Sequence, residues 1–319
     1  MKHLPTVSIT HGDDVDGLTS GALLLRLFDA KVVPANYDDL DEALTSVGKD
    51  VDKLFITDLN LREALLPLIE GVRKHAEVTL IDHHPMEKSL ANALKGLGVE
   101  VVHDTRDCAS VLVYNHFRDR LEPDAARLAA YAAVSDMFED GPIASRLMDG
   151  MDRKFVQNEA LMLSAALGAD QSEVFKRRIL KELSVYAYPH QIKGVVKASI
   201  AQLEKIVKIK EVVKIKAKRI GRLAVMECGD DSSTGEVANV IMDTLLVDVG
   251  MCWKEQEGMV NISLRGERRL AEHLGEIASK LSKKYGGFGG GHARASGAKV
   301  PRDKLEAFIE DLAAGLNAP

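Results

Sequence analysis

The sequence predicts an α/β protein of two domains, and three observations lead to this expectation. The chain has 319 residues, more than one hydrophobic core usually organises. Short apolar runs alternate with longer amphipathic segments in the N-terminal half, which is typical of a parallel sheet covered by helices. A second set of strand-like and helical segments begins near residue 211. We therefore expect an N-terminal parallel-sheet domain, a helical connector and a smaller C-terminal α/β domain, with an active site in the cleft between the domains.

Hydrophobic periodicity predicts the elements of the N-terminal domain, for which we expect residues 1–185. Period-two or continuous apolar runs predict strands at 6–10, 31–34, 52–57, 77–81 and 99–103. Spacing of three or four residues between apolar positions predicts helices at 18–28, 61–75 and 110–121, and a mainly helical region from 125 onward. Residues 186–210 are the predicted helical linker.

The C-terminal domain is expected over residues 211–319. Strands are predicted at 223–228 and 259–264, and helices at 235–245, at 270–285 and from about residue 302. Residues 286–297 (GGFGGGHARASG) are predicted to form a glycine-rich loop. The basic stretch 205–222 is either a solvated helix end or strand, or a basic wall that faces an anionic ligand.

Bulk composition excludes several classes of protein. Lys and Arg number 42 against 48 Asp and Glu, a formal net charge of −6, so bulk charge does not favour binding of long nucleic acid. Three sparse cysteines, Cys108, Cys228 and Cys252, fit a reducing compartment better than a disulfide framework. The N-terminus lacks the pattern of a signal peptide, and no apolar run approaches 18 residues. We expect a cytoplasmic protein without a membrane partner.

Acidic and imidazole side chains follow the ends of the predicted strands, where open α/β sheets bind their ligands. Asp136 lies in an apolar run, where a carboxylate needs a charged partner or a metal ion. Each residue alone is also compatible with a helix cap, a turn or a salt bridge. Taken together they favour a pair of metal ions about 3.5–4 Å apart that activates a water for phosphoryl displacement. The residues at strand ends are His11, Asp14, Asp16, Asp58, Asp82, His83 and His84.

A second candidate site lies in the C-terminal domain. Glycines at 289–291 let backbone N–H groups approach an anion closely, and His292 and Arg294 add side-chain donors. The predicted strand at 259–264 leads into Arg265, a fork-shaped donor for phosphate. A glycine-rich loop is also compatible with a flexible turn, but the strand-terminal arginine favours anion binding.

The candidate metal ligands of the N-terminal domain resemble, in order and spacing, the four motifs of the DHH phosphoesterase superfamily. The matching residues are His11 with Asp14 and Asp16, then Asp58, then Asp82, His83 and His84, and finally Asp136. The segment 107–110 (DCAS) resembles the small-residue segment that opens a helix between the third and fourth motifs. The segment 289–297 (GGGHARASG) is similar to the GGGH loop of the family's DHH-associated domain of the first type, and 263–265 (SLR) to its Ser-x-Arg strand. The second-domain match separates the chain from family II inorganic pyrophosphatases.

The resemblance implies a role for each residue. His11, Asp14 and Asp58 would hold one ion. Asp58 would bridge to a second ion, and His84 would contact the scissile phosphate. Asp82 and Ser110 would support the ligands from outside the metal sphere. The second ion would be held by Asp16, Asp58, His83 and Asp136, and the substrate would be bound by Ser263, Arg265, Gly290, Gly291, His292 and Arg294.

The expected activity is Mn²⁺-dependent phosphodiester hydrolysis of short oligonucleotides or dinucleotides, and also of 3′-phosphoadenosine 5′-phosphate, with Mg²⁺, Co²⁺ or Fe²⁺ as other candidate ions. Aromatic residues make up only 5% of the chain, with one tryptophan, which disfavours the stacking platforms that grip long single strands. Exopolyphosphatase and cyclic-dinucleotide phosphodiesterase are the alternatives. A non-catalytic nucleotide-binding module is a third alternative, and a homodimer is compatible with the resemblance.

Overall fold

The computed structural model describes residues 5–229 and 232–316. Contacts between Cα atoms divide the chain into two compact units, Met1–Leu203 (unit 1) and Glu204–Pro319 (unit 2). Each unit is built around its own sheet, so the predicted fold class of a parallel-sheet α/β domain followed by a smaller α/β domain is confirmed.

Unit 1 contains a five-stranded parallel sheet of order β2-β1-β3-β4-β5. Alternate residues of β3 enter opposite cores: Phe55 packs with the helices on one face, and Leu54 and Ile56 pack on the other. Both faces are therefore buried, as expected for a parallel sheet. The strands are β1 (Thr6–His11), β2 (Lys31–Ala35), β3 (Lys53–Thr57), β4 (Glu77–Asp82) and β5 (Glu100–His103).

Helices cover both faces of this sheet. The larger core packs six helices on one face, and three short helices cover the other. The central helix is α1, where an added Cβ at Gly21 would lie 2.9 Å from Val32 Cγ1, so only glycine fits this close helix–strand contact. The helices of the larger face are α1 (Val15–Phe28), α5 (Ala109–Phe117), α6 (Ala125–Ser135), α8 (Arg153–Ala169) and α9 (Glu173–Ser184), together with the short α7 (Ala144–Met148); the opposite face has α2 (Leu40–Thr45), α3 (Leu66–Arg73) and α4 (Lys88–Gly96).

All five predicted strands of unit 1 are present, but the helix predictions need correction. Helices α2 and α4 were not predicted, because α2 has only six residues and α4 buries only Leu90 and Leu94. Helix α1 begins at Val15 rather than residue 18, because Asp14 caps it. The predicted helix 61–75 is a 3₁₀ turn, Glu63–Leu65, followed by α3.

Unit 2 contains a six-stranded sheet of order β10-β11-β9-β8-β7-β6, in which only β7 and β8 are parallel. Helices α12 and α13 cover one face, and α11 and the C-terminal part of α10 cover β7 and β8 on the other. The elements are α10 (Val195–Lys216), β6 (Lys218–Ile220), β7 (Leu223–Glu227), α11 (Thr234–Leu245), β8 (Val249–Gln256), β9 (Met259–Gly266), α12 (Leu274–Lys284), β10 (Phe288–Gly291), β11 (Ala295–Pro301) and α13 (Leu305–Leu316).

The prediction of a glycine-rich loop over 286–297 is wrong for residues 288–291 and 295–297, which lie in strands β10 and β11. Residues Phe288–Gly291 form β10, which pairs antiparallel with β11. Glycine weakens any local strand signal, so here tertiary pairing overrides propensity. Strand β8 was also missed, because its first four residues are all buried and give no alternation. None of the helices within the described ranges is long and apolar enough to cross a membrane.

Candidate metal centre and anion-binding residues

The predicted metal-binding residues of unit 1 meet at the carboxyl end of its sheet. Strands β1 and β3 are neighbours, and the chain leaves them toward opposite sides of the sheet. Such a switch point opens a crevice above the strand ends, which is where open α/β sheets bind ligands. His11 ends β1, Asp14 caps α1, Asp16 lies in the first turn of α1, and Asp58 directly follows β3.

The loop after β1 is shaped by Asp14 and Gly17. Asp14 accepts a hydrogen bond from the Gly17 N–H (3.0 Å) and so caps α1. A Cβ at Gly17 would lie 2.1 Å from the His11 carbonyl oxygen, so glycine is needed for the helix to start this close to the strand. The adjacent Asp13 turns away and pairs with Lys176 (2.6 Å). Asp14, not Asp13, therefore faces the cluster.

Asp16 is fully buried and is oriented by the N-terminus of α5. Its two oxygens accept hydrogen bonds from the backbone N–H groups of Ala109 (2.8 Å) and Ser110 (2.7 Å). The segment 107–110 thus opens a helix whose first N–H groups hold a carboxylate of the cluster. Ser110 contributes its backbone, while its hydroxyl forms no hydrogen bond within the described residues.

Asp58 lies at the centre of the cluster. Its Oδ2 is 3.5 Å from His11 Nδ1, and its Oδ1 is 3.2 Å from His83 Nε2. Its side chain is nearly inaccessible, and Oδ2 has no hydrogen-bond donor within the described residues. The backbone adopts φ 58°, a left-handed conformation that is uncommon outside glycine and is often found at functional sites.

The ligand atoms form overlapping groups, in each of which the atoms lie within 4.8 Å of one another. Asp58 belongs to two of these groups, on either side of the cluster. The group without Asp58 contains Asp136, whose Oδ2 is 3.5 Å from His83 Nε2. The groups are His11–Asp14–Asp58, Asp16–His83–Asp136 and Asp58–His83–His84. The first group has the same residues as one ligand set that the resemblance implies, and the second has three of the four residues of the other set, without Asp58.

Crowded carboxylates dominate the electrostatics of this cluster. Burial, together with the charge of Asp58, raises the pKa of Asp16 to about 7. Burial, together with Asp16 and Asp14, raises the pKa of Asp136 to about 7. Burial opposes protonation of His11, but Asp14 and Asp58 outweigh it and raise its pKa to about 11. The cluster thus favours added positive charge, and carboxylates mixed with imidazoles suit a divalent transition-metal ion.

His84 is held on both sides of its ring. Its Nδ1 lies 2.8 Å from Asp82 Oδ1, and its Nε2 lies 3.0 Å from the Tyr37 hydroxyl. His103 Nε2 contacts the His84 carbonyl oxygen at 2.6 Å. Asp82 and Tyr37 thus fix the orientation of the His84 ring, and the predicted roles of Asp82 and His84 stay predictions.

Sequence reasoning missed Tyr37 and, although it singled out the segment 107–110, the role of Asp107. Tyr37 follows β2, whose carboxyl end lies at the same edge of the sheet, so the strand-end rule that found Asp58 also applies to it. Asp107 is fully buried and accepts hydrogen bonds from the N–H groups of Ile143 (3.0 Å) and Ala144 (2.8 Å). It therefore anchors the segment after Asp136, and this link over 36 residues leaves no local sequence signal.

In unit 2, Arg265 lies against the N-terminal turn of α11. A Cβ at Gly235 would be 2.5 Å from Arg265 Nη2, so the glycine makes room for the guanidinium. Burial lowers the pKa of Arg265, and the guanidinium pairs with no carboxylate in the described part of the chain. Ser263 Oγ lies 2.8 Å from Thr234 Oγ1 beside it. Arg265 is thus a partly buried cation without a countercharge, which favours an anionic ligand.

The remaining predicted substrate residues lie on the β10–β11 hairpin. Gly290 and Gly291 belong to β10, and His292 is exposed at the turn, where its N–H donates to the Ala295 carbonyl (2.8 Å). Arg294 Nη1 instead donates to the Glu272 carbonyl (2.9 Å), so its side chain anchors the hairpin to the preceding loop.

The fold and the cluster define a class: an open parallel α/β protein with a candidate dinuclear metal centre, joined to a second α/β unit. Comparison with known families identifies the second unit, since residues 221–318 match the model of the DHHA1 domain. Residues 221–318 thus form a C-terminal DHHA1 domain, and the predicted similarity of the second unit to the DHH-associated domain of the first type is confirmed.

Solved structures have the same fold. The DHH domain of a protein described as a member of the s1p family of ribosomal proteins gives a TM-score of 0.75 at 16% identity, covering 98% of this chain and 87% of that one. RecJ from Thermus thermophilus, in complex with Mn²⁺, gives 0.68 at 17% identity, covering 100% of this chain and 53% of RecJ. The pGpG-specific phosphodiesterase PggH from Vibrio cholerae gives 0.59 at 13% identity, covering 98% and 99%.

The match to a curated relative covers only part of each protein. An uncharacterized protein of Methanocaldococcus jannaschii is 32% identical over 106 residues, which cover 32% of this chain and 23% of the relative. The aligned part thus spans less than a quarter of that relative.

Proposed function

We propose that this protein is a phosphoester hydrolase that depends on two divalent cations and cleaves short oligonucleotides or dinucleotides. The observation that carries the proposal is the position of Asp58, with one carboxylate oxygen toward His11 and the other toward His83. One carboxylate shared between two groups of ligands is the arrangement needed to hold a close pair of cations.

When bound, such a pair supplies Lewis acidity and a nucleophilic water at neutral pH. The residues of the chain orient and complete the site. Helix α5 fixes Asp16, and Gly17 lets α1 start beside His11, so the ligands are held before substrate arrives. His84, steadied by Asp82, is the proposed donor to a phosphoryl oxygen or to the leaving oxygen.

Manganese is the proposed native ion. Two imidazoles among the carboxylates favour a borderline transition metal over Mg²⁺, which prefers oxygen ligands and retains water. The RecJ structure of similar fold holds Mn²⁺, which supports the same proposal.

A short nucleotide substrate is supported by unit 2. Arg265 offers an uncompensated guanidinium beside Ser263, and these are the residues proposed to bind a terminal phosphate. The exposed His292 and the backbone of Gly290 and Gly291 are further candidates on the same hairpin. RecJ and PggH, which have similar folds, are an exonuclease and a dinucleotide phosphodiesterase by their descriptions.

The test is a hydrolysis panel with Mn²⁺ whose products are separated by chromatography. It compares 5′-phosphorylated RNA dimers to pentamers, 3′-phosphoadenosine 5′-phosphate, cyclic dinucleotides, long single-stranded DNA and polyphosphate. We expect mononucleotides to be released fastest from the short oligonucleotides, and activity to be lost in Asp136→Asn but kept in Asp119→Asn, whose carboxylate is 93% exposed outside the cluster. A preference for polyphosphate, or no turnover on any substrate, would overturn the proposal.

A further inference from the structure

Helix α10 has a line of exposed apolar side chains in addition to its buried one. The inner line is buried or half-buried and recurs at steps of three or four residues. The outer line lies one residue further along at each step, so it occupies the neighbouring strip of the helix surface. Its four members are 40–58% exposed. The inner line is Val195, Ser199, Gln202, Ile206, Ile209 and Val213, and the outer line, here called the α10 stripe, is Val196, Ile200, Leu203 and Val207.

The spacing within the α10 stripe is that of a helix–helix contact. Its steps of four, three and four residues follow the a and d positions of a coiled coil. Single exposed apolar side chains are ordinary on a protein surface, but four on one strip of helix form a continuous patch about 17 Å long, which marks an interaction site. The next positions of this line are Lys193 on one side and Lys210 on the other, so the apolar contact is limited to the four residues.

The α10 stripe is complementary to a second copy of itself when the two helices run antiparallel. A two-fold axis that passes between Ala201 and Gln202 places Val196 opposite Val207 of the partner subunit. The same axis places Ile200 opposite Leu203 of the partner subunit. Each a position then meets a d position, and all four layers are apolar.

Two charged residues beside the stripe favour the antiparallel direction. Lys197 and Glu204 each directly follow a stripe residue, and both are exposed. In the antiparallel pair, Lys197 lies about 3 Å along the helix axis from Glu204 of the partner subunit, and the two-fold axis repeats this contact. A parallel pair would instead put Glu204 beside Ser199 of the partner subunit, which carries no charge.

These two charges are available for contacts with another molecule. Two other lysines of α10 pair with carboxylates of α11, Lys205 at 2.7 Å and Lys210 at 2.5 Å. Across the residues that the structure describes, Lys197 and Glu204 form no such ion pair. An exposed apolar strip flanked by opposite charges in this order is therefore complementary to itself in shape and in charge.

We propose that the α10 stripe is the contact surface of a homodimer in which two copies of α10 pack antiparallel about a two-fold axis. The partner is a second copy of this chain, because the four layers and both charge pairs are satisfied by the stripe alone. A contact of four residues from each copy lies at the low end of specific interfaces, so we expect the dimer to dissociate at micromolar concentration. The inference does not depend on the proposed function, since neither the metal ligands nor the substrate residues take part in it.

The experiment is sedimentation velocity of the full chain in EDTA at concentrations from about 1 to 100 μM. Ile200→Lys places a charge at the centre of the stripe. Its matched control is Ile215→Lys, which changes an isoleucine of the same helix that is 84% exposed and lies outside the stripe. We expect Ile200→Lys to weaken association about 100-fold or more, because each copy would bury an unpaired ammonium group, and Ile215→Lys to associate as the wild type does.

Charge reversal tests the direction of the two helices. Lys197→Glu and Glu204→Lys each turn both attractive contacts into repulsive ones, so each variant alone should associate about 10-fold more weakly than the wild type. An equimolar mixture of the two variants restores both opposite-charge pairs and should associate as the wild type does. Mixing would not rescue a variant that had failed to fold, so this result separates the contact from an effect on stability.

Three results would overturn the inference. The first is a wild type that stays monomeric over the whole concentration range, and the second is a dimer that Ile200→Lys leaves unchanged. The third is a mixture of Lys197→Glu and Glu204→Lys that associates no more strongly than either variant alone. If the wild type is monomeric and sediments with vesicles of anionic lipid, the α10 stripe binds a lipid surface instead of a second copy.

Discussion

The backbone conformation of Asp58 determines which substitution best tests the role of its carboxylate. Its φ of 58° strains alanine, whereas asparagine tolerates the left-handed region and keeps the shape of the side chain. Asp58→Asn therefore removes charge from the centre of the cluster with little change to the loop after β3. The left-handed conformation had no signature in the sequence, although the position of the carboxylate after a strand did.

A prediction at the residue scale concerns Tyr37. Its hydroxyl lies 3.0 Å from His84 Nε2, so Tyr37→Phe removes the contact that holds this side of the imidazole while the ring stays in place. We expect kcat to fall about 2- to 10-fold, the value of one hydrogen bond, with an unchanged melting temperature. Steady-state kinetics in wild-type and His84→Asn backgrounds check this, because a role through His84 predicts no further loss in the second background. An equal loss in both backgrounds would contradict it.

Most members of the cluster were predicted from one local signal, a polar residue at or just after the end of a buried strand, whereas Asp136 was predicted as a carboxylate within an apolar run. The same signal is absent from the residues that support them. Lys176 reaches Asp13 from α9, 163 residues away, and Asp107 reaches the turn before α7. Such contacts are created by tertiary packing, so a single sequence contains no periodicity or motif that reports them.

At the element scale, a small network joins α1 to the chain after α9. Glu122 accepts hydrogen bonds from Arg26 on α1 and from the Tyr186 hydroxyl, the latter at 2.6 Å. The Arg26 and Tyr186 donors lower the pKa of Glu122 to about 2. The glutamate is 45% exposed, so solvent screening limits its contribution to stability.

The network predicts a pH dependence of stability. Because the folded pKa is below the unfolded one, the contribution of Glu122 is present above about pH 4.5 and is lost as the pH falls toward 2. We expect Glu122→Gln to lower the melting temperature at pH 7 by at most a few degrees, equivalent to about 1 kcal/mol or less. Thermal melts should show this difference shrinking toward pH 3.

The control is Glu70→Gln, which changes an exposed glutamate on α3. It should leave the melting temperature unchanged at every pH. A difference between wild type and Glu122→Gln that stays constant from pH 7 to pH 3 would show that the network contributes no charge-dependent stability.

Elements with apolar periodicity were predicted well, and those held by pairing were not. All strands of unit 1 follow from runs of branched and apolar residues, whereas β10 is Phe-Gly-Gly-Gly and forms because β11 supplies its hydrogen bonds. Local signals fail there because glycine has no side chain that favours a strand, so pairing with β11 decides the structure.

At the scale of the whole molecule, the cluster concentrates negative charge in a chain whose formal net charge is already −6. Repulsion among the buried carboxylates opposes folding, and divalent cations relieve it. Binding should therefore stabilise the protein by about 2.7 kcal/mol at a cation concentration 100-fold above Kd.

Thermal melts in EDTA and in Mn²⁺ check this prediction. We expect Mn²⁺ to raise the melting temperature of the wild type by about 5–10 °C. The rise should be much smaller in Asp58→Asn and unchanged in the control Asp119→Asn. An equal rise in all three proteins would place the bound cations outside the cluster.

The most direct test of the central claim is the Mn²⁺-dependent turnover of Asp58→Asn on a 5′-phosphorylated RNA dimer. Because one carboxylate serves both groups of ligands, its neutralisation should abolish release of mononucleotides while circular dichroism shows an intact fold. Asp119→Asn should be as active as the wild type. Turnover by Asp58→Asn close to the wild-type rate would contradict the assignment of this cluster as a two-cation catalytic centre.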